Sequence, residues 1–302
     1  MDSAERAWID RFLSHLAHER RMSRHTIAAY RHDLHALAEF GARRRLTAWS
    51  RFDHSELRAF AAAQHGAGLS PRSIQRHLSA ARTFYEFLMR EGRCARNPAL
   101  DVRAPKAKKR LPATLDADQM GRLLAFRVDD SLSARDKAIM ELFYSSGLRL
   151  TELVSLTLSA IDLKDRTVRV VGKGNKTRIV PIGRQAIFAL RKWLGVRGGL
   201  VKADRDALFV GQTGRPLSVR AVQLRVGAWG RRQGIGVHVH PHMFRHSFAT
   251  HLLESSGDLR GVQELLGHAD IGTTQVYTHL DFQHLATVYE AAHPRARRRR
   301  SA

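Results

Sequence analysis

The sequence predicts a mainly α-helical protein with a small β-sheet, divided into two domains. Three observations lead there. The chain has 302 residues, a length at which single hydrophobic cores stop growing and chains tend to divide. Apolar residues recur at helical spacing through the first hundred positions, whereas one later segment, TVRVVGKGNKTRIVPI, is dense in β-branched residues. Between these regions, residues 101–114 (DVRAPKAKKRLPAT) hold two prolines and five basic residues without any apolar period. That composition reads as a linker. The boundaries expected are a helical domain over 1–103, a basic linker over 104–114, an α+β domain over 115–292 and a basic tail over 293–302.

In the first domain, Ile27, Tyr30, Leu34 and Leu37 share one face of a helix that should stop at Gly41, leaving Arg24 and Arg31 outside. Ser70-Pro71 combines an N-cap with proline at the first helical position. Behind it Ile74, Leu78, Ala81, Tyr85 and Leu88 form an apolar stripe, with Arg72, Arg76, Ser79 and Thr83 opposite. In the second domain, Thr167–Val171 and Thr177–Ile182 are expected to pair as a hairpin, with Gly172-Lys173-Gly174-Asn175 supplying the turn. Pro241 opens a further helix on which His242 and Arg245 share a face, with Phe248, Leu252 and Leu253 on the buried side. Gly267 marks a helix end that places His268 at its exit, and Thr273-Thr274 can cap a short helix bearing Tyr277. The last eight residues, RARRRRSA, contain five arginines and read as a basic tail.

Charge narrows the function. Lys and Arg number 51 against 28 Asp and Glu, a formal charge of +23. Residues 1–110 carry 22 basic and 11 acidic side chains, so the excess is shared by both halves and both are expected to face an anion. Duplex DNA is the expected partner. Arg24, Arg31, Arg72, Arg76, Lys108 and Lys109 are candidate phosphate contacts, although any one arginine could simply be a solvated surface charge. No apolar run approaches a bilayer span, and MDSAERAWID lacks the order of a signal peptide. One cysteine, Cys94, supports neither an internal disulfide nor a thiolate cluster. A cytoplasmic protein without cofactor is expected.

Four segments concentrate reactive side chains. In SSGLRLTELVSL, Arg149 precedes a helix start expected to be capped by Thr151, where a guanidinium adds to an anion site. An ion pair with Glu152 is the structural alternative. The hairpin turn presents Lys173, but the phosphate-loop pattern G-x-x-x-x-G-K-[ST] fails because Thr167 stands where its first glycine is needed. In HVHPHMFRHSFATHLLE, histidines 238, 240, 242, 246 and 251 invite a metal reading, yet there is no H-E-x-x-H and no cysteine partner, and Arg245 would repel a cation. A histidine beside an arginine suits a phosphate better, and no metal is expected. In GHADIGTTQVYTHL, Tyr277 is either a packed aromatic or a nucleophile that needs a base and cationic surroundings. Together, two arginines, a lysine, two histidines and a tyrosine form a complete set for phosphoryl transfer. Arginines clamp the non-bridging oxygens, and the leaving 5′-oxygen and the attacking group each need a proton partner.

In chain order, Arg149, Lys173, His242-x-x-Arg245, His268 and Tyr277 resemble the signature of the tyrosine site-specific recombinases, the lambda-integrase family. The resemblance runs nearly end to end. It is strongest to the Xer branch in ESSGDLRGVQELLGHA, YTHLDFQHLATVYEAAHPRA and RAPKAKKRLPATLD. It implies a SAM-like core-binding domain followed by a catalytic domain, and strand cleavage through a 3′-phosphotyrosyl intermediate formed by Tyr277. Arg149 and Arg245 would hold the phosphate, Lys173 would act as general acid, His242 as general base, and His268 would orient the phosphate. It further implies a dif-like DNA site, a XerD-type paralogue in a heterotetramer, an FtsK-type translocase as activator and a role in chromosome dimer resolution. The helix after the tyrosine, with Phe282, Leu285, Ala286 and Tyr289 on one face, would dock on its own domain or on a neighbouring protomer.

Overall fold

A computed structural model describes residues 3–20, 22–106, 114–172, 177–202 and 205–266. The chain divides into two compact units, Met1–Arg110 and Leu111–Ala302.

Four helices build the first unit: α1 (Ser3–His18), α2 (Arg24–Arg43), α3 (His54–Gly66) and α4 (Pro71–Arg90). The start of α4 is the one its sequence prescribes, with Ser70 accepting from the Ser73 N–H and proline in the first turn. All five residues of the expected stripe are buried. They pack in an aromatic core where the Phe84 ring lies 4.9 Å from Trp49 and 5.3 Å from Phe12. The Tyr85 hydroxyl and Trp49 indole find backbone partners, Oη donating to the Trp49 carbonyl at 3.0 Å and Nε1 to the Glu5 carbonyl at 2.7 Å. Helix α2 differs from expectation by running through Gly41 to Arg43. Gly41 is buried, and a packed interior tolerates the roughly 1 kcal/mol that glycine costs a helix. Arg45, at φ 58°, takes the left-handed position beyond the helix end instead. Leaving α4, the chain is held by Arg82, which donates to the carbonyls of Ala99 (3.0 Å) and Val102 (2.9 Å).

The second unit surrounds α6 (Ser131–Ser146), preceded by the short α5 (Ala117–Leu123). From Ser133 to Ser146 only Lys137 is not buried, so α6 is a core helix rather than an amphipathic one. Around it lie α7 (Leu150–Val154), α8 (Arg184–Arg197), α9 (Val219–Arg232), α10 (Pro241–Ser256) and α11 (Leu259–Leu266). The sheet has three antiparallel strands in sequence order, β1 (Ile161–Asp162), β2 (Thr167–Val171) and β3 (Thr177–Pro181). Opposite Val168 stands Val180, and opposite Arg169 stands Ile179. Val168, Val170, Arg178 and Val180 turn inward, while Arg169, Val171, Thr177 and Ile179 face out. The Ser146 hydroxyl donates to the Pro181 carbonyl at 2.8 Å, fastening the end of α6 to the end of β3.

Candidate active site

The site begins where α6 stops. Gly147 ends that helix at φ 56°, and a β-carbon there would lie 2.5 Å from Phe248 Cδ1 and 3.1 Å from Leu266. Only glycine satisfies both the backbone conformation and the space. Two residues on, Arg149 is the N-cap of α7 in extended conformation. The expected cap Thr151 lies one residue inside the helix. The cap bond comes from Glu152, whose carboxylate reaches back to the Arg149 N–H at 2.8 Å. The same carboxylate accepts from Arg149 Nη1 at 2.9 Å, so the ion pair raised by the sequence is present.

Glu152 has a second, stronger partner that sequence reasoning missed. Arg178 of β3 donates Nη1 and Nη2 to its two oxygens at 2.8 and 3.0 Å, end-on. Burial alone would raise the Glu152 pKa, but the bonds from Arg178 and Arg149 outweigh it and hold the carboxyl below its ordinary value. Arg178 was legible in principle. Alternation places it on the inward face of β3 with Val180, and an inward guanidinium needs a carboxylate.

Arg245 comes from α10, one turn after His242. It donates Nη1 to the Gly147 carbonyl at 2.5 Å and Nη2 to the Leu266 carbonyl at 2.6 Å. It therefore bridges the C-terminal ends of α6 and α11, where helix dipoles are negative. Burial first, and then the nearby positive charge of Arg149, push its pKa down to about 10. It stays charged at neutral pH. Arg149, Arg178 and Arg245 thus crowd around Glu152, an arrangement that leaves excess positive charge and suits an anion.

His242 is exposed on the first turn of α10, and the His240 ring lies 6.3 Å away. His240 is pushed below its ordinary pKa by partial burial, and then by His242, His238 and His246. His251 belongs to the interior, where Tyr144 Oη lies 2.9 Å from its Nδ1. Among the described residues, no three histidine, cysteine or carboxylate side chains gather as a metal site, and no helix is long and apolar enough to cross a membrane. Lys173, His268 and Tyr277 lie outside the described residues, as do Lys108, Lys109, the turn after Gly172, the caps at Gly267 and Thr273-Thr274, and the helix expected after the tyrosine.

Of the arginines suggested as DNA contacts, Arg24 and Arg72 are exposed. Arg31 pairs with Asp10 at 2.9 Å, both largely in solvent. Arg76 lies 2.8 Å from the buried Asp33, so it has a structural duty in its own domain.

The phage integrase family model matches residues 113–284, and the phage integrase N-terminal SAM-like domain matches residues 9–92. The chain belongs to the phage integrase family. Its relatives in that family include the tyrosine recombinase XerC of Azotobacter vinelandii, 58% identical over 293 residues and spanning 97% of each chain. The tyrosine recombinase XerC of Pseudomonas aeruginosa is 54% identical over 298 residues, 98% of each. Among solved phage-integrase-type folds, the XerH site-specific recombinase bound to difH substrate in a pre-cleavage complex superposes with a TM-score of 0.67. It is 26% identical, covering 86% of this chain and 78% of that one. This member of the phage integrase family is a tyrosine recombinase enzyme, and its activity is site-specific recombination.

Proposed function

We propose that this recombinase is of the XerC type. It cleaves one strand at a dif-like duplex through Tyr277, acts with a XerD-type paralogue in a heterotetramer, responds to an FtsK-type translocase, and resolves chromosome dimers in the cytoplasm. Near end-to-end similarity to proteins named XerC supports the assignment. The observation that carries the chemistry is Arg149 bonded to one buried carboxylate, with Arg245 within electrostatic reach of both, since two guanidiniums at that spot can hold the non-bridging oxygens of one phosphate.

The step balances without a cofactor. The Tyr277 oxygen attacks phosphorus and forms a P–O bond while the bond to the 5′-oxygen breaks. The phenol proton passes to His242, and Lys173 protonates the departing 5′-oxygen, which leaves as a 5′-hydroxyl. His268 orients the phosphate. The phosphotyrosyl link keeps the energy of the broken phosphodiester, so a second strand's 5′-hydroxyl can reverse the step without ATP. Arg24, Arg31, Arg72, Arg76, Lys108 and Lys109 remain candidates for positioning the duplex; they belong to the N-terminal domain (1–103) and basic linker (104–114), which precede the catalytic domain (115–292) and its tail (293–302) in sequence.

A suicide dif-like duplex in EDTA tests the reading. The protein, alone or with the paralogue, should yield a covalent protein–DNA adduct that disappears in Tyr277→Phe. An adduct that persists in that variant, or cleavage that EDTA abolishes, overturns it.

A further inference from the structure

We infer that Arg178 is a positioning residue of the recombination site: by neutralising Glu152 from behind, it leaves the Arg149 guanidinium available to the scissile phosphate. The inference rests on the reading that Arg149 holds that phosphate.

Glu152 has two tasks that conflict. Its carboxylate caps α7 by accepting from the Arg149 N–H at 2.8 Å and so fixes where Arg149 leaves the backbone. A buried carboxylate touching the Arg149 guanidinium at 2.9 Å would also absorb the charge that a phosphate needs. Arg178 separates the two tasks. It is 8% exposed, and it engages both Glu152 oxygens with both Nη groups, the geometry that satisfies a carboxylate most completely. Arg149 reaches the same carboxylate through Nη1 at 2.9 Å, and its side chain is 39% exposed. The buried arginine balances the buried acid, and Arg149 is the more accessible of the two.

Charge arithmetic supports the assignment. Three guanidiniums and one carboxylate leave the cluster with a net of plus two. An attacked phosphodiester passes from one negative charge to two as the phenolate adds, so the cluster matches the transition state better than the substrate. Without Arg178 the net falls to plus one, and Arg149 becomes the main partner of Glu152. Arg178 also belongs to β3, one strand of the hairpin whose turn carries Lys173 in sequence. Its bond to Glu152 therefore ties that hairpin to α7, the helix whose N-cap is Arg149.

The test is single-turnover adduct formation on a suicide dif-like duplex at saturating protein, with DNA affinity measured separately. It uses the full chain as Arg178→Gln, Arg178→Lys, Glu152→Gln/Arg178→Gln and Arg149→Ala. Arg178→Gln should slow cleavage by about 30-fold or more with duplex affinity within about threefold, because a buried side chain makes no DNA contact. The double variant removes the acid that Arg178 balances, and should recover about tenfold over Arg178→Gln. Arg178→Lys keeps the charge and should stay within about tenfold of the parent. A double variant no faster than Arg178→Gln, or an Arg178→Gln as fast as the parent, overturns the inference. Should Arg178→Gln not fold, Arg178→Lys and the double variant decide, and either of them more than about tenfold slower than the parent overturns it. Arg149→Ala keeps the two readings apart. If it cleaves normally the phosphate role of Arg149 is wrong, whereas its loss of cleavage without rescue in the double variant discards only the role of Arg178.

Discussion

Arg245 donates to the carbonyl of Gly147, 98 residues earlier in the chain, at 2.5 Å. That bond fastens α10 to the turn from which Arg149 emerges, so the two arginines proposed to hold one phosphate are aligned by backbone before any DNA arrives. Preorganisation of this kind lowers the cost of stabilising charge at the moment of reaction.

Arg245→Lys should expose the dependence. An ammonium is a compact point charge and cannot span the Gly147 and Leu266 carbonyls while presenting a fork to phosphate. Adduct formation is expected to fall about 100-fold, while duplex affinity measured by titration changes little, since one phosphate contact among many is modest.

Gly147→Ala should fail for steric reasons. The left-handed conformation costs about 1–2 kcal/mol for a residue with a β-carbon, and the 2.5 Å approach to Phe248 adds overpacking of about 1–3 kcal/mol. Urea unfolding followed by circular dichroism should show a loss in that combined range. An unchanged midpoint would mean the turn can relax.

Asp33 and His77 give the first unit a compensated response to pH. Burial raises the Asp33 carboxyl to about 6, against the pull of Arg76 and His32. Burial, then Arg76 and His32, lowers His77 to about 4. Since Asp33 binds its proton more tightly when folded, its contribution weakens the fold as pH rises from 3.8 through about 6. His77 binds its proton more weakly when folded, so its contribution strengthens the fold as pH rises from about 4 through 6.5. The two oppose each other over one window. Asp33→Asn removes the first, along with the 3.2 Å contact to His77, and its stability relative to the parent should improve by on the order of 2 kcal/mol between pH 4 and pH 7.5. A pH-independent difference in thermal or urea unfolding would contradict this.

The two neighbouring arginines of α4 should behave differently. Arg72→Ala should weaken duplex binding and reduce the slope of log affinity against log salt by about one. Arg76→Ala strips a buried carboxylate of its partner at 2.8 Å, so its main effect should be on unfolding.

Much of this was legible in the chain. The α4 stripe and its Ser70-Pro71 start, and the pairing of Thr167–Val171 with the strand from Thr177, follow from local patterns that the fold leaves intact. What local patterns could not supply were choices made by distant packing. Gly41 stops no helix because its surroundings are buried. Thr151 yields the cap of α7 to Glu152, whose carboxylate is drawn there by two guanidiniums, one of them on β3. The ion pair between Arg149 and Glu152 could be named from a four-residue stretch. That a second cation joins it is invisible in that stretch, and follows only from the inward register of Arg178, 26 residues away.

Both acceptors that hold Arg245 are peptide carbonyls rather than side chains. Every residue type brings such an oxygen, so exchanges at most surrounding positions leave the arginine's anchor points in place. The aim of this cation is therefore buffered against drift in neighbouring side chains, and the surrounding sequence can diversify toward new DNA sites without retuning the reaction centre.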